Sequence, residues 1–160
     1  MEAKTSLFFR GYGIFARVAN CLQSPVLLAI RLYWGWQFFV TGRGHLRNLD
    51  KTTGFFQSLH IPWPHFNACL AGCTECVGGL FLLVGLGARL VSVPLIFTMI
   101  IAYLTAESDA LKQIFSDPDK FVSASPFLFM LACVIILAFG PGVFSLDWLI
   151  EKLVKPRGQT

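Results

Sequence analysis

Four long apolar runs restrict what this chain can fold into more than any other feature of its sequence. Each run lies within the roughly 17–25 residues that a helix needs to cross a bilayer. Because lipid offers no hydrogen-bond partners, the backbone groups of such a run must be satisfied within a helix. The sequence therefore predicts an all-α integral membrane protein, a four-helix bundle with spans at Pro25–Thr41, Phe66–Leu86, Leu90–Ala106 and Pro126–Phe144.

The composition agrees with a membrane location and argues against a soluble domain. Hydrophobic residues make up 55% of the 160 residues and charged residues only 14%, whereas soluble proteins carry about a quarter charged residues. The five cysteines are an odd number, which does not suggest the disulfide framework of a small secreted domain. The sequence shows no nucleic-acid motif, no haem-binding C-x2-C-H and no flavin or nicotinamide fingerprint. We therefore expect no nucleic-acid partner.

The basic residues predict how the chain is oriented. Only Gly87–Arg89 separates the second and third runs, so these form a tight antiparallel hairpin, and four spans place both termini on one side. Cytoplasmic segments carry an excess of Lys and Arg. We predict cytoplasmic termini because seven such residues lie on their side and five on the other: Lys4, Arg10, Arg17, Arg89, Lys152, Lys155 and Arg157 against Arg43, Arg47, Lys51, Lys112 and Lys120.

Shorter segments flank the apolar runs. Residues 1–24 mix apolar and basic side chains, which predicts an amphipathic helix lying in the membrane interface. Residues 151–160 form a basic cytoplasmic tail. Just before it, Ser145 or Asp147 is placed to cap a segment at Trp148–Val154, whose apolar face would rest on the membrane surface.

Glu75 is the only charged residue within Phe66–Leu86. An ionisable group at the centre of a bilayer costs about 2.5 kcal/mol or more, so it normally faces a partner or a cavity. At 100° per residue its helix face consists mainly of small residues, which allow membrane helices to approach closely. We therefore expect Glu75 to point at another helix, together with Ala68, Ala71, Gly72, Gly79 and Leu82.

Arg31, in the first run, is the predicted partner of Glu75. Their depths differ by about 7–8 Å at the helical rise per residue, which a long Arg side chain can bridge. Two interpretations follow from this pairing. Either the two residues form a structural ion pair, or Glu75 accepts protons beside a quinone or another apolar substrate.

A cysteine stripe follows the same helix on another face. Cys69, Cys73 and Cys76 lie at i, i+4 and i+7, and His65 joins the stripe if the helix begins at Pro64. These side chains could simply pack as small hydrophobic groups. They could instead bind Cu(I) or Zn, or Cys73 and Cys76 could form a redox dithiol.

Aromatic and histidine side chains supply the remaining candidates. Trp34 and Tyr103 are either packing residues or contacts for a flat quinone ring. Trp63 is expected to anchor the chain at the membrane interface, and His60 and His65 on either side of it to be solvated.

Several motifs in these runs are similar to one known family. The first run carries R-L-x2-G-x2-F-F-x2-G from Arg31 to Gly42, and the second reads E-C-V-G-G-L-F-L-L-V-G-L-G-A-R from Glu75 to Arg89. The fourth ends in G-P-G-V-F-S-L-D, from Gly140 to Asp147. Over about residues 25–150 the chain resembles the DoxX family of small four-helix membrane proteins, within a broader group that includes the DoxD and MauE types.

The resemblance implies a role beside membrane redox enzymes. Some family members resemble subunits of quinone-reducing enzymes that oxidise thiosulfate, and others scaffold soluble redox enzymes at the membrane. Members usually carry Lys near the position of His45, and the cysteine stripe is outside their common pattern.

We therefore expect a subunit of a quinone-linked redox system in the bacterial inner membrane. Its expected partners are membrane lipid, a soluble or peripheral redox protein and further copies of the chain. If it takes part in catalysis, it does so as a subunit of a quinone-dependent oxidoreductase. The alternatives are a non-catalytic anchor for redox enzymes and a copper- or zinc-handling protein that uses the cysteine stripe.

Overall fold

The computed structural model describes the backbone of residues 2–154, and side chains from residue 15 onward. Within that part of the chain there are helices and connecting turns and no strand, so the prediction of an all-α protein is confirmed. The helices are α1 (Glu2–Arg47), α2 (Leu49–Ser58), α3 (Pro64–Val84), α4 (Ala88–Thr105), α5 (Ser108–Lys112), α6 (Pro118–Ser123), α7 (Ser125–Phe139) and α8 (Leu146–Val154).

Helix α1 is much longer than the first predicted span. It runs without a break through 46 residues and contains Pro25, where the separate span was predicted to begin. Proline removes one backbone hydrogen bond inside a helix, and the turns on either side of Pro25 continue. Residues 2–24 of the predicted interfacial segment and the first span therefore form one helix. The side chains of residues 1–12 and 14 and the end of the basic tail, residues 155–160, lie outside the described residues.

Helix α3 packs most closely against α1, and glycines on both helices make this possible. A Cβ atom added to Gly79 of α3 would lie 2.7 Å from the carbonyl oxygen of Gly35 on α1. One added to Gly42 of α1 would lie 2.7 Å from the carbonyl oxygen of Gly72. The backbones therefore nearly touch at two levels, as small residues allow in membrane helices.

The buried face of α3 is the predicted one except that Gly78 is buried and Ala71 is only half-buried. Glu75 lies on it, which confirms that this acid points at another helix. The buried residues of α3 are Ala68, Gly72, Glu75, Gly78, Gly79 and Leu82.

Helices α4 and α7 complete the packed core. Gly85 and Gly87, at φ +70° and +56°, form the tight turn that returns the chain from α3 into α4, so the predicted hairpin is confirmed. Helix α4 packs against α7, and α7 also contacts α1. The main core cluster consists of Phe38, Leu82, Ala88, Leu95, Met99, Cys133 and Ile136.

Among the described residues, two helices are long and apolar enough to cross a membrane, α3 with 21 residues and α4 with 18. Helix α7 is apolar but has only 15 residues. It ends at Phe139, before the predicted Phe144, because Gly140 takes a φ of +80° that a helix cannot continue. Many large apolar side chains on these helices face outward, for example Leu90 and Phe97 of α4.

The remaining helices are short and lie between or after the long ones. The segment between the predicted third and fourth spans, residues 107–125, contains α5 and α6. The Asp117 carboxylate accepts a hydrogen bond from the Lys120 backbone N–H at 3.3 Å. Helix α8 begins at Leu146, two residues before the predicted Trp148. Ser145 caps it as predicted, since Ser145 Oγ accepts a hydrogen bond from the Trp148 N–H at 3.2 Å. The other candidate for that cap, Asp147, serves a different helix.

Candidate functional site: a buried acid and its histidine

Glu75 meets a histidine in the structure. His45 Nδ1, near the end of α1, lies 3.3 Å from Glu75 Oε2. The Glu75 side chain is 5% exposed, whereas that of His45 is 35% exposed. The histidine therefore lies between the buried acid and the outside of the protein.

The glycine contacts between α1 and α3 set this pairing. Gly42 packs on the backbone of Cys76 and Gly72, and Leu46 covers Gly72. These contacts fix the level of α1 against α3, so the intervening His45 lies beside Glu75. The two facing atoms are close enough for an ion pair but do not align as a hydrogen bond, and both are buried without another partner.

The predicted ion pair between Arg31 and Glu75 is wrong, because Arg31 is fully engaged elsewhere. Its guanidinium is buried and donates to four backbone carbonyls, at 3.1 Å to Leu82, 3.2 Å to Leu83, 2.5 Å to Pro141 and 3.0 Å to Phe144. The last carbonyls of a helix lack partners within it, and Arg31 satisfies those at the end of α3.

Asp147 complements Arg31 at the same end of the molecule. Its carboxylate accepts hydrogen bonds from the backbone N–H groups of Gly87 at 2.7 Å and Ala88 at 3.0 Å, which open α4. Its own N–H donates to the Gly85 carbonyl at 3.0 Å. A negative charge at a helix N-terminus is stabilising. Arg31 and Asp147 together therefore hold the segment Gly140–Asp147, which begins with G-P-G, against the α3–α4 turn.

A surface recess adjoins the His45–Glu75 pair. It has a volume of about 300 Å³ and lies where α1 passes into α2. Thr52 strengthens that junction, since its hydroxyl donates to the carbonyl oxygens of His45 and Asn48 at 3.3 and 3.1 Å. The lining residues are Gly44, His45, Asn48, Lys51, Thr52 and Phe55. His45 is the residue that touches both the recess and Glu75.

The carboxylate of Glu75 also changes how His45 titrates. His45 lies beyond the predicted span at residues 25–41, and its contact with Glu75 raises the pKa of the imidazole above its ordinary value. Partial burial of the ring lowers that pKa and so opposes the effect. His45 is thus biased toward the protonated form beside a buried acid. Such a pair can hold or pass on a proton.

The two aromatic residues predicted to contact a quinone lie apart from this site. Trp34 packs edge-on against Phe129, with ring centroids 4.8 Å apart. The Tyr103 hydroxyl donates to the Phe121 carbonyl at 2.8 Å, and its ring stacks on that of Phe121. Neither Trp34 nor Tyr103 lines the recess. Both make packing contacts in this structure.

The cysteine stripe faces largely outward. Cys73 is exposed, and Cys69 and Cys76 are half-buried, while His65 is exposed in the first turn of α3. Across the described residues, no three His, Cys, Asp or Glu side chains are grouped so that they could hold a metal ion. The four residues of the predicted metal site therefore do not form a preassembled site.

Sequence reasoning missed the role of His45 and the recess beside it. The apolar run was taken to end at Thr41, so the helix that continues to Arg47 was not considered. Reading the helical period on from Gly42 would have placed His45 on the side that faces α3. The resemblance in sequence argued against a role for His45, since family members usually carry Lys near this position.

Comparisons with known proteins agree with the sequence motifs. The family model described as DoxX matches residues 26–108. The chain is 31% identical over 148 residues to "Uncharacterized membrane protein Rv3486" of Mycobacterium tuberculosis, covering 85% of this chain and 88% of that protein. It is 29% identical over 125 residues to "Putative oxidoreductase CatD" of Bacillus subtilis, covering 78% and 87%. No solved structure matches the chain.

Proposed function

Because this chain belongs to the DoxX family of membrane proteins, we propose that it is the membrane subunit of a quinone-linked redox system. The observation that carries the proposal is the buried carboxylate of Glu75, 3.3 Å from a partly exposed His45. The name of the Bacillus subtilis relative, an oxidoreductase, supports the redox assignment. Buried ionisable residues in membrane helices are typical of proton and substrate sites.

The residues present suit a quinone. Two buried polar atoms, His45 Nδ1 and Glu75 Oε2, lack hydrogen-bond partners, and the recess beside them combines polar side chains with the ring of Phe55. A bound quinone supplies two-electron chemistry that takes up or releases protons. In the proposed function Glu75 holds a proton within the apolar helix, and His45 passes it between Glu75 and the recess.

The proposal includes a redox partner and a place in the membrane. The sequence carries no electron-carrying cofactor motif, so the electrons come from a soluble or peripheral redox protein in this proposal. Helices α1, α3, α4 and α7 cross the bacterial inner membrane as a four-helix bundle, with both termini in the cytoplasm. The outward-facing apolar side chains of α3, α4 and α7 support this arrangement.

Quinone carried by the purified protein tests the function. We expect about one quinone per chain in detergent-purified wild type, and its loss from Glu75→Gln, which keeps the shape of the side chain but removes its charge. Asp119→Asn makes the same chemical change on an exposed side chain of α6 and should retain quinone. A folded wild type that carries no quinone, and takes up none when it is supplied, would contradict the proposal.

A non-catalytic anchor is the second candidate, and the contacts of Arg31 favour it. All four hydrogen bonds of this buried charge go to backbone carbonyls, so it serves the packing of the chain. If Glu75 has a similar structural role, Glu75→Gln should leave the activity of the assembled redox system intact. A large loss of that activity in a folded, partner-bound variant would exclude the anchor.

A further inference from the structure

We propose that the recess at the α1–α2 junction binds the head group of the quinone and that Glu75 acts on this ligand only through His45. The inference rests on the proposed function and adds a location and a set of contacts to it. It departs from the sequence-based expectation, which placed the quinone against Trp34 and Tyr103.

His45 lies between Glu75 and the recess. Glu75 does not line the recess, whereas His45 does, and Nδ1 of the imidazole is turned toward Glu75. This leaves Nε2 as the ring nitrogen available to a ligand. An imidazole that is held on one side by a carboxylate is oriented to form a hydrogen bond on the other. His45 can therefore contact a ring oxygen that Glu75 cannot reach.

The walls of the recess combine an aromatic ring with polar side chains. Phe55 is 51% exposed and offers an aromatic face, against which a flat ring can stack. Asn48, Lys51 and Thr52 add hydrogen-bonding groups at the other walls. A volume of about 300 Å³ is at the small end of the range for ligand sites. A single quinone ring with polar oxygens fits this combination.

The location of the recess suits a ligand that has a polar head group and an apolar tail. The recess begins at Gly44, just past the predicted span at 25–41, and its wall residue His45 contacts Glu75 of the apolar helix α3. A head group bound there can leave its apolar tail in the membrane. The polar ring oxygens then have hydrogen-bonding side chains beside them, and the apolar tail remains in lipid.

Charges around the recess favour an oxygen that carries partial negative charge. His45 faces it from α1 and Lys51 from α2, and Glu75 lies behind His45 on α3. The ammonium of Lys51 can approach one ring oxygen, and the imidazole of His45 the other. A neutral apolar ligand without such oxygens gains nothing from either group.

Two glycines allow a matched test. A Cβ atom added to either Gly44 or Gly54 meets nothing within 4 Å, so a larger side chain fits at both without disturbing the packing. Gly44 lines the recess, whereas Gly54 does not. Gly44→Leu should therefore fill the recess, and Gly54→Leu should leave it open while making the same substitution in a helix.

Binding is measured by equilibrium dialysis of a short-chain benzoquinone against detergent-purified protein. We expect Gly44→Leu to weaken binding at least tenfold and Gly54→Leu to change it less than twofold. Lys51→Gln should weaken binding several-fold, and Lys112→Gln, on exposed α5, should leave it unchanged. His45→Asn should weaken binding as much as Glu75→Gln or more, since Glu75 acts through it.

The outcomes separate this inference from the function on which it rests. If wild type binds the benzoquinone and Gly44→Leu binds it equally well, the ligand site lies elsewhere and the inference is wrong, while the proposed function stands. If folded wild type binds none, both are overturned. A loss of binding in Gly54→Leu equal to that in Gly44→Leu would also overturn the inference, because filling the recess would then not be the cause.

Discussion

At the scale of single residues, the buried charges Arg31 and Glu75 have different environments. Arg31 has four backbone acceptors, whereas the facing atoms of Glu75 and His45 have no aligned hydrogen bond. Buried polar groups are nearly always satisfied, and each exception calls for an explanation. A fully satisfied charge is suited to a structural role, and an incompletely satisfied pair next to a recess is suited to exchange with a ligand.

The raised pKa of His45 predicts how stability depends on pH. A pKa that is higher in the folded than in the unfolded state stabilises the protein below the unfolded value of about 6.5. This stabilisation is lost as pH rises through the folded pKa. The thermal midpoint of wild type in detergent should therefore fall relative to that of His45→Asn as pH rises from about 6 to 9.

The size of that effect is limited by solvent. His45 is 35% exposed, so screening reduces the contribution to less than about 1 kcal/mol. The matched control is His60→Asn, which alters an exposed histidine at a positive φ that Asn tolerates. Comparison with this variant accounts for the replacement of a histidine by asparagine. A flat difference for His45→Asn would show that Glu75 does not hold the imidazole in its protonated form.

Arg31 should be a strong determinant of stability. Arg31→Lys keeps the charge, but one ammonium cannot reach four carbonyls in the planar arrangement of a guanidinium. With carbonyls of α3 or of the G-P-G segment left unsatisfied, we expect a loss of about 2–4 kcal/mol in the free energy of unfolding. Thermal or denaturant unfolding in detergent measures it. Arg43→Lys changes an exposed arginine of the same helix and should cost far less.

At the scale of helices, the contact between α1 and α3 depends on glycine rather than on large side chains. Gly35 and Gly42 on α1 face Gly72 and Gly79 on α3. This contact also sets the register that brings His45 to Glu75. The packing of these two helices and the geometry of the candidate site therefore depend on the same glycine contacts.

A methyl group at this contact should separate the helices. The Cβ of Gly79→Ala would lie 2.6 Å from the Phe39 backbone nitrogen, and backbone atoms cannot move aside as a side chain can. Although Ala favours the helix by about 1 kcal/mol over Gly, we expect a net loss of about 1–3 kcal/mol. Gly54→Ala makes the same change in open space and should stabilise the protein. Unfolding midpoints measured for both in one detergent would reveal equal shifts if the close contact were unimportant.

Sequence alone predicts the helices of this fold better than the contacts that their side chains make. The runs that became α3 and α4, the turn between them and the buried small face of α3 follow from composition and period, which are local properties. The partners of Arg31 do not, because they are backbone carbonyls, which every residue possesses. The pairing of Glu75 with His45 depends on how far α1 slides along α3, and two glycine contacts decide that distance.

At the scale of the whole molecule, the charge distribution predicts the orientation. The helix hairpin and the basic residues at the ends of the chain favour both termini in the cytoplasm. A green fluorescent protein fused to the C-terminus should therefore fluoresce in cells, and alkaline phosphatase fused at the same place should be inactive. A fusion of each reporter protein within 113–117, on the predicted opposite side, should give the reverse pattern. An active phosphatase at the C-terminus would contradict the orientation.

Helix α1 has a mechanical consequence. Its 46 residues extend about 69 Å, more than twice the roughly 30 Å of a hydrocarbon core. Such a helix is a rigid element, with one end among the packed helices and the other well beyond them. Pro25, where one backbone hydrogen bond is missing, is the point at which the helix bends most easily. A tilt or rotation imposed on residues 2–24 would therefore reach Arg31 and His45 only while the helix stays straight at Pro25.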